Sequence, residues 1–291
     1  MSGSFVLIAS YPKSGNTWMR VVLEKLRRGG EQPVSINDLD IRYQGGSRRA
    51  AFDSWAPVNA ADLTFDEIEG FLPDVYRRLA AEIQDFAPVK VHDAASRNFR
   101  GEWIYPPDCV KRVIYLVRHP FDVAVSLAYH LNTSPERAVE MMADEGRRRR
   151  PYRRLSQSLP QNFASWSSNV ESWMDNPAYG VSWSRYEDMH AEPVAQILRL
   201  ATAAGMPVSR HDVEIAVKAT DFQELQREEE VAGFREKAKV SRQFFRSGHP
   251  GTWKGLLDAA LRERLVHDHG RVMRRLGYNE DGSTSAIQPS S

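Results

Sequence analysis

The sequence predicts an α/β protein, a three-layer sandwich with a central, mainly parallel sheet covered by helices on both faces. Four short, β-branched apolar runs read as buried strands: FVLIA (5–9), APVKV (87–91), RVIYLV (112–117) and YGVSWS (179–184). Helical patterns lie between them, and parallel strands require such crossovers. The polar residues that could carry chemistry follow these runs, at the carboxyl ends of strands, where ligands bind in sheets of this kind.

The elements follow in order. After the first strand, WMRVVLEKLRR (18–28) places Met19, Val22, Leu23 and Leu26 on one helical face. Residues 29–64 are rich in Gly, Asp, Asn and Ser and read as a long surface excursion. Further helices are predicted over 65–83, 121–131, 160–174 and 191–205. Residues 132–160 carry GRRRRPYRR (146–154), which reads by default as a solvated loop; the cluster Arg147–Arg150 could also recruit an anion or close over a ligand. With no internal repeat and no clear linker, one domain is expected over 1–280, and the polar end 281–291 is expected to be a disordered tail.

Composition narrows the class. Hydrophobic residues make up 42% and charged residues 26%, enough apolar side chain for a sizeable core. The net charge of +1 gives no global reason to expect nucleic acid. The single cysteine, Cys109, rules out an internal disulfide framework and fits a reducing compartment. FVLIAS is too short for a signal peptide, and no apolar run approaches the roughly 20 residues that span a bilayer. The expectation is a cytoplasmic protein without a membrane span. Only eight of the 39 basic residues are lysine, which together with abundant alanine suggests a GC-rich, bacterial genome.

The loop after the first strand, SYPKSGNTW (10–18), has what an anion site needs. Gly15 permits close backbone approach, and the N–H groups of Ser14, Gly15, Asn16, Thr17 and Trp18 can converge at a helix N-terminus. Lys13 adds charge, and Ser14 and Thr17 add hydroxyls. Pro12 and Gly15 alone would also fit an ordinary turn. A nucleotide-triphosphate loop would place its lysine after the second glycine, whereas Lys13 precedes Gly15. Downstream, RVIYLVRHPFDVAVS delivers Arg118 at a strand end, opens a helix with Pro120 and places Ser126 eight residues on. Arginine and serine together suit a phosphate, although Arg118 could instead pair with Asp122. APVKVHD puts Lys90 and His92 on one side of a strand end, a setting for a general base. No HExxH or Cys/His cluster points to a metal.

These motifs resemble those of the sulfotransferases that use 3′-phosphoadenosine 5′-phosphosulfate (PAPS). SYPKSGNTW matches the family's Y-P-K-[SA]-G-[TN]-[TN]-W loop at every position, and the R-H-P run with its following serine resembles the 3′-phosphate motif. FFRSGHPGTWKGLL (244–257) resembles R-K-G-x-x-G-[DE]-W-K, with Ser247 in place of lysine and Thr252 in place of the acidic residue. SWSSNVESW (165–173) resembles a further family helix.

The resemblance implies a P-loop-like fold, PAPS as sulfuryl donor with PAP as product, and no metal. It places Lys13 at the phosphate–sulfuryl bridge and makes Lys90 an anion contact and His92 the base. Arg118, Ser126, Arg246, Ser247 and Gly248 would hold the 3′-phosphate, Trp18 and Phe222 would flank the adenine near Thr220, and Tyr186 would hydrogen-bond the base. The acceptor would be a small-molecule hydroxyl, as in sulfotransferases that tailor bacterial secondary metabolites, with Trp55, Trp103, Tyr105 and Phe163 as candidate pocket aromatics. The rival readings are a kinase-like enzyme using ATP and a non-catalytic nucleotide binder. Of the family's dimer motif only the ends match, at Lys254 and Glu263, while Asp258 and Ala259 replace Thr-Val. The oligomeric state stays open, a homodimer included.

Overall fold

The computed structural model describes residues 3–29, 34–40, 43, 45, 48–149, 157–237 and 243–286. Strand β1 (Phe5–Ser10) is buried along its whole length, as a central strand covered on both faces must be. It pairs in parallel with β2 (Pro88–Val91) on one side and with β3 (Val110–Val117) on the other. A short antiparallel pair, β4 (Arg148–Arg149) and β5 (Gln161–Asn162), stands apart. The main sheet ends with β6 (Val181–Arg185), giving the order β2-β1-β3-β6.

The period of two along each strand sorts the core. Phe5, Leu7 and Ala9 of β1 and Val113, Tyr115 and Val117 of β3 face one side. They pack there against α3 (Phe65–Glu82), α4 (Pro120–Leu131), α6 (Trp166–Met174) and α11 (Ala259–Arg275). Val6, Ile8, Ile114 and Leu116 face the other side, against α1 (Asn16–Arg27), α8 (Pro193–Ala203) and α9 (Arg210–Ala219). Met19, Val22, Leu23 and Leu26, the face expected of the first helix, are the α1 contribution.

The chain leaves β1 for β2 on one side and later returns to β3 on the other. The loops after β1 and β3 therefore diverge at the carboxyl end of the sheet and open a crevice between them, at the point where the strand order reverses. Lys13 and Arg118 sit in those two loops.

Several segments differ from expectation. The excursion 29–64 contains α2 (Arg49–Trp55). The stretch 132–160 contains α5 (Pro135–Ala143), which Ser134 caps by accepting from the Arg137 amide and which Pro135 opens, so the polar loop begins later than its composition implies. Residues 160–165 are not helical; they carry β5, and Ser165 caps the helix that follows. Two helices, α7 (Tyr186–Ala191) and α10 (Phe222–Ala232), follow directly on motif segments. Residues 281–286, assigned to the disordered tail, instead turn back: Thr284 bridges Tyr278, and Arg185 donates to the Ser285 carbonyl at 2.8 Å. Arg150 and the rest of the basic run to 154 lie outside the described residues, as does 287–291.

One buried ion network ties β2 and α1 to the segment after α10. Glu236 accepts two hydrogen bonds from Arg20, at 2.9 and 3.1 Å, and one from Lys90 at 2.7 Å. The Arg20 and Glu236 side chains are 2% and 3% exposed. Lys90 and Arg20 hold the Glu236 carboxyl well below its ordinary range, outweighing its burial. Removing the carboxylate would strand two cations. Glu236→Ala is therefore expected to lose about 3–5 kcal/mol of stability, read as a lower urea midpoint at an unchanged slope; a loss under about 1 kcal/mol would show that the cations relax to water.

Candidate active site

The loop after β1 is shaped by two left-handed residues, Lys13 (φ 74°) and Gly15 (φ 95°). A Cβ at Gly15 would lie 2.7 Å from the Tyr186 ring, so the turn and the close approach both require glycine. Gly15 begins α1 with no side-chain cap, and no acidic residue sits in the first turn. The first-turn N–H groups of α1 thus point outward as anion donors. Asn16 braces the turn from inside, donating to the Ile8 carbonyl at 2.7 Å and to Ser10 Oγ at 3.2 Å.

At the end of β3, His119 accepts from the Phe121 amide and Pro120 occupies the first helical position, so α4 starts at once. Arg118 is 7% exposed. Its guanidinium lies 4.4 Å from the Tyr186 ring centre and donates to the His249 carbonyl at 3.0 Å. With Asp122, the alternative partner, it makes a long ion pair of 3.9 Å. Asp122 also accepts from the Gly251 amide (2.7 Å), the Thr252 hydroxyl (2.9 Å) and the Trp253 amide (3.1 Å), fixing the C-terminal motif against α4. Thr252, which stands where the family pattern has an acid, donates to this carboxylate.

These elements enclose a cavity of about 1650 Å³. Every residue expected at the site lines it except Ser14 and Thr220. Ser14 is fully buried beneath the wall, and its hydroxyl has no hydrogen-bond partner among the described residues. Thr220 is turned away: its hydroxyl donates back to the Ala216 carbonyl at 2.8 Å and caps α9, so only its neighbour Phe222 reaches the cavity. Tyr186 lines the wall, but its hydroxyl donates to the Gly248 carbonyl rather than standing free for a base. Gly248 is held at φ 66° with the Phe222 ring where a Cβ would be. Arg246 rests 4.0 Å from the Tyr129 ring centre. Lys90 reaches the cavity already paired with Glu236.

Of the four aromatics expected near an acceptor, only Phe163 is in this cavity. Trp55 and Tyr105 are core residues, and Trp103 lines a separate depression of about 630 Å³. Sequence reasoning missed Phe244, whose ring lies 4.2 Å from Lys13 Nζ, and the Arg20–Glu236 pair. No motif marks either.

The electrostatics separate the two chemical roles. Lys13 is pushed down to about 7, first by burial and then by the like charges of Arg118 and Lys90, with Arg246 adding to them. A cation so depressed is a cation awaiting an anion. His92 Nδ1 lies 3.0 Å from the Ser10 carbonyl and 3.2 Å from Ser10 Oγ. A carbonyl only accepts, so Nδ1 carries the proton and Nε2 is the basic nitrogen. Burial, then Lys90, pushes His92 down to about 3, so the ring is neutral across the working pH range. Asn169 fixes this strand end by donating to the His92 carbonyl at 3.0 Å, while Tyr115 donates to Asn169 Oδ1 at 2.8 Å. Among the described residues no group of His, Cys, Asp or Glu gathers to hold a metal.

Comparison with known proteins decides the family. The sulfotransferase domain family matches residues 4–277. The chain belongs to the sulfotransferase family. It is 24% identical over 297 residues to Sulfotransferase 1A1 of Canis lupus familiaris, covering 94% of this chain and 85% of the relative. Sulfotransferase 1E1 of Mus musculus is 23% identical, with 92% and 83% covered. Among solved structures, mouse sulfotransferase SULT7A1 complexed with PAP aligns with a TM-score of 0.57 at 18% identity, over 93% of this chain and 85% of that one. Retinol dehydratase in complex with androsterone and PAP aligns with a TM-score of 0.61 at 18% identity, over 94% and 82%. The neighbours share the mainly parallel α/β sheet, and the family assignment rests on the match along the sequence. No helix among the described residues is long and apolar enough to cross a membrane.

Two outcomes follow from the electrostatics. An anion settling against Lys13 raises its pKa, so binding above pH 7 takes up a proton. Calorimetry of PAP binding at pH 8 in two buffers of different ionisation enthalpy is expected to show this uptake, and Lys13→Met to abolish it; equal heats in both buffers would contradict the depressed lysine. In the ligand-free protein, NMR of the histidine rings is expected to find His92 neutral and Nδ1-protonated from pH 8 down to pH 5. A titration midpoint near the ordinary 6.5 would refute this.

Proposed function

We propose that this sulfotransferase moves a sulfuryl group from PAPS to the hydroxyl of a small-molecule acceptor, with His92 as general base. The observation that carries this reading is a single cavity in which Lys13, Arg118 and Arg246 face the same space as a neutral histidine with a bare Nε2. The buried Arg118 Nε, in the cavity wall, has no partner among the described residues, as expected of a group built for a phosphate. When bound, PAPS supplies the sulfuryl group, and PAP remains after transfer.

The chain's own residues divide the work. Lys13, Thr17 and the first-turn amides of α1 would hold the phosphosulfate end, with Ser14 beneath them. Arg118, Ser126, Arg246 and the Ser247–Gly248 backbone would hold the 3′-phosphate, and Trp18 and Phe222 would flank the base. Here Tyr186 acts through packing, as a platform for Arg118 and Gly248. His92 Nε2 accepts the acceptor's proton, and the Nδ1–H bond to Ser10 both sets the tautomer and shares the charge that forms on the ring. Lys13 keeps positive charge beside the oxygens that become more negative. The arginine-rich basic composition and the resemblance stated above favour a bacterial enzyme of secondary metabolism, in a cytoplasmic setting consistent with the single thiol.

His92→Ala is expected to lower turnover by about 10²–10⁴ while PAP affinity stays within about threefold, because the imidazole moves a proton and touches no phosphate. Full turnover in that variant would remove His92 from the role. Thermal denaturation separates the rival cofactors: PAP at about 100 times its Kd would add about 2.7 kcal/mol, and ATP with Mg²⁺ much less. The reverse order would favour a kinase-like site. Mass spectrometry of a metabolite panel incubated with PAPS, scoring a sulfate mass gain, identifies the acceptor, and PAP binding without any such gain would favour a non-catalytic binder.

A further inference from the structure

We infer that the acceptor carries an anionic group in addition to its hydroxyl, and that Arg147 and Arg48 receive it beside His92. This rests on the sulfotransferase reading of the cavity and names the substrate class of its acceptor end.

One strip of chain, 157–163, brings these arginines together. Arg48 bridges Ser158, and β4 pairs Arg148 with Asn162. The Phe163 amide donates to the Arg147 carbonyl at 2.9 Å. The same strip is fastened to the base-bearing strand end: the Asn162 amide donates to Asp93 at 2.6 Å, the Ala94 amide donates to the Asn162 carbonyl at 2.8 Å, and Asn169 links the Phe163 and His92 carbonyls. Arg48, Arg147, His92 and Phe163 all line the one cavity. The strip that carries these cations is thus fastened to the strand end that carries the base, and both face one cavity.

Among the described residues those cations have no counter-ion. Arg147 is half-buried, its guanidinium 5.2 Å from the Phe163 ring centre and 5.7 Å from that of Tyr11. Its hydrogen-bond partner is the Tyr11 hydroxyl, a neutral phenol that burial pushes up to about 12. Among the described residues no carboxylate forms an ion pair with Arg147 or Arg48. The acids nearby have other hydrogen-bond partners: Glu145 has Ser165 and Ser168, Glu69 has Arg148, Asp93 has Asn162, Gln161 and Tyr105, and Asp144, which lines the same cavity, accepts from the Gly146 amide. Half-buried guanidinium groups that face a cavity without a carboxylate partner are a receptor for one. Carboxylate, phosphate ester and sulfate ester share the planar or trigonal oxygen edge that an arginine fork accepts.

Thermal denaturation of the PAP-saturated protein tests this, since PAP occupies the phosphate end. The probes are 4-hydroxybenzoate, 4-hydroxyphenyl phosphate and methyl 4-hydroxybenzoate. At least one acid is expected to stabilise saturably, with at least tenfold higher affinity than the neutral ester, and the stronger acid shows which anion the site prefers. Arg147→Gln and, as an independent variant that leaves the Tyr11 contact intact, Arg48→Gln are each expected to weaken the acid about tenfold without changing the ester. An ester that binds as well as the acids, acids that do not bind, or arginine variants that bind them undiminished would each overturn the inference alone. A protein that PAP does not stabilise would overturn the cofactor reading and this inference with it.

Discussion

Like charges held close together away from water govern this molecule. Lys13, Lys90, Arg118 and Arg246 converge at the end of a parallel sheet, and the protein balances them unevenly. Lys90 is matched inside the fold by Glu236, and Arg118 is spread over the Tyr186 ring and the His249 carbonyl. Lys13 is given an aromatic face and no carboxylate within ion-pair distance among the described residues, and its pKa falls toward neutrality. The site stores its appetite for an anion as a proton it is ready to regain. The same field from Lys90 helps to keep His92 neutral, so one cluster of charge sets the protonation of both residues.

Much of this was legible in the sequence because it is local. The strands announce themselves as β-branched runs, and a strand followed by Pro-Lys-Ser-Gly leaves little freedom in how the turn and the first helix are made. His119 and Pro120 likewise write the start of α4 into three residues. Lys13, Arg118 and His92 follow from their positions at strand ends, because the topology of a parallel sheet brings those ends together.

What the sequence concealed depends on partners far along the chain or on which way a side chain turns. Thr220 sits in a run that resembles the family's, yet its hydroxyl closes α9 because the carbonyl four residues back lies within hydrogen-bond reach. The helix over 135–143 was hidden by its polar surroundings, although Ser134 and Pro135 mark its start. Glu236 carries no motif, and its value as a counter-ion exists only because Arg20 is 216 residues away in sequence and next to it in space. Three of four candidate aromatics near the acceptor proved to be core or remote, because composition cannot distinguish a ring that packs from one that lines a cavity.

The carboxylate of Asp122 has a consequence for how such proteins diverge. It grips the backbone amides of Gly251 and Trp253, 129 and 131 residues further on, so two motif segments are clamped through main-chain atoms that, proline apart, no substitution at those positions removes. The intervening chain is released from holding the motifs in register and can be rewritten, lengthened or redecorated. A relative can then share barely a quarter of its residues with this protein and still bring the same handful together, leaving selection free to work on the interval that shapes what enters.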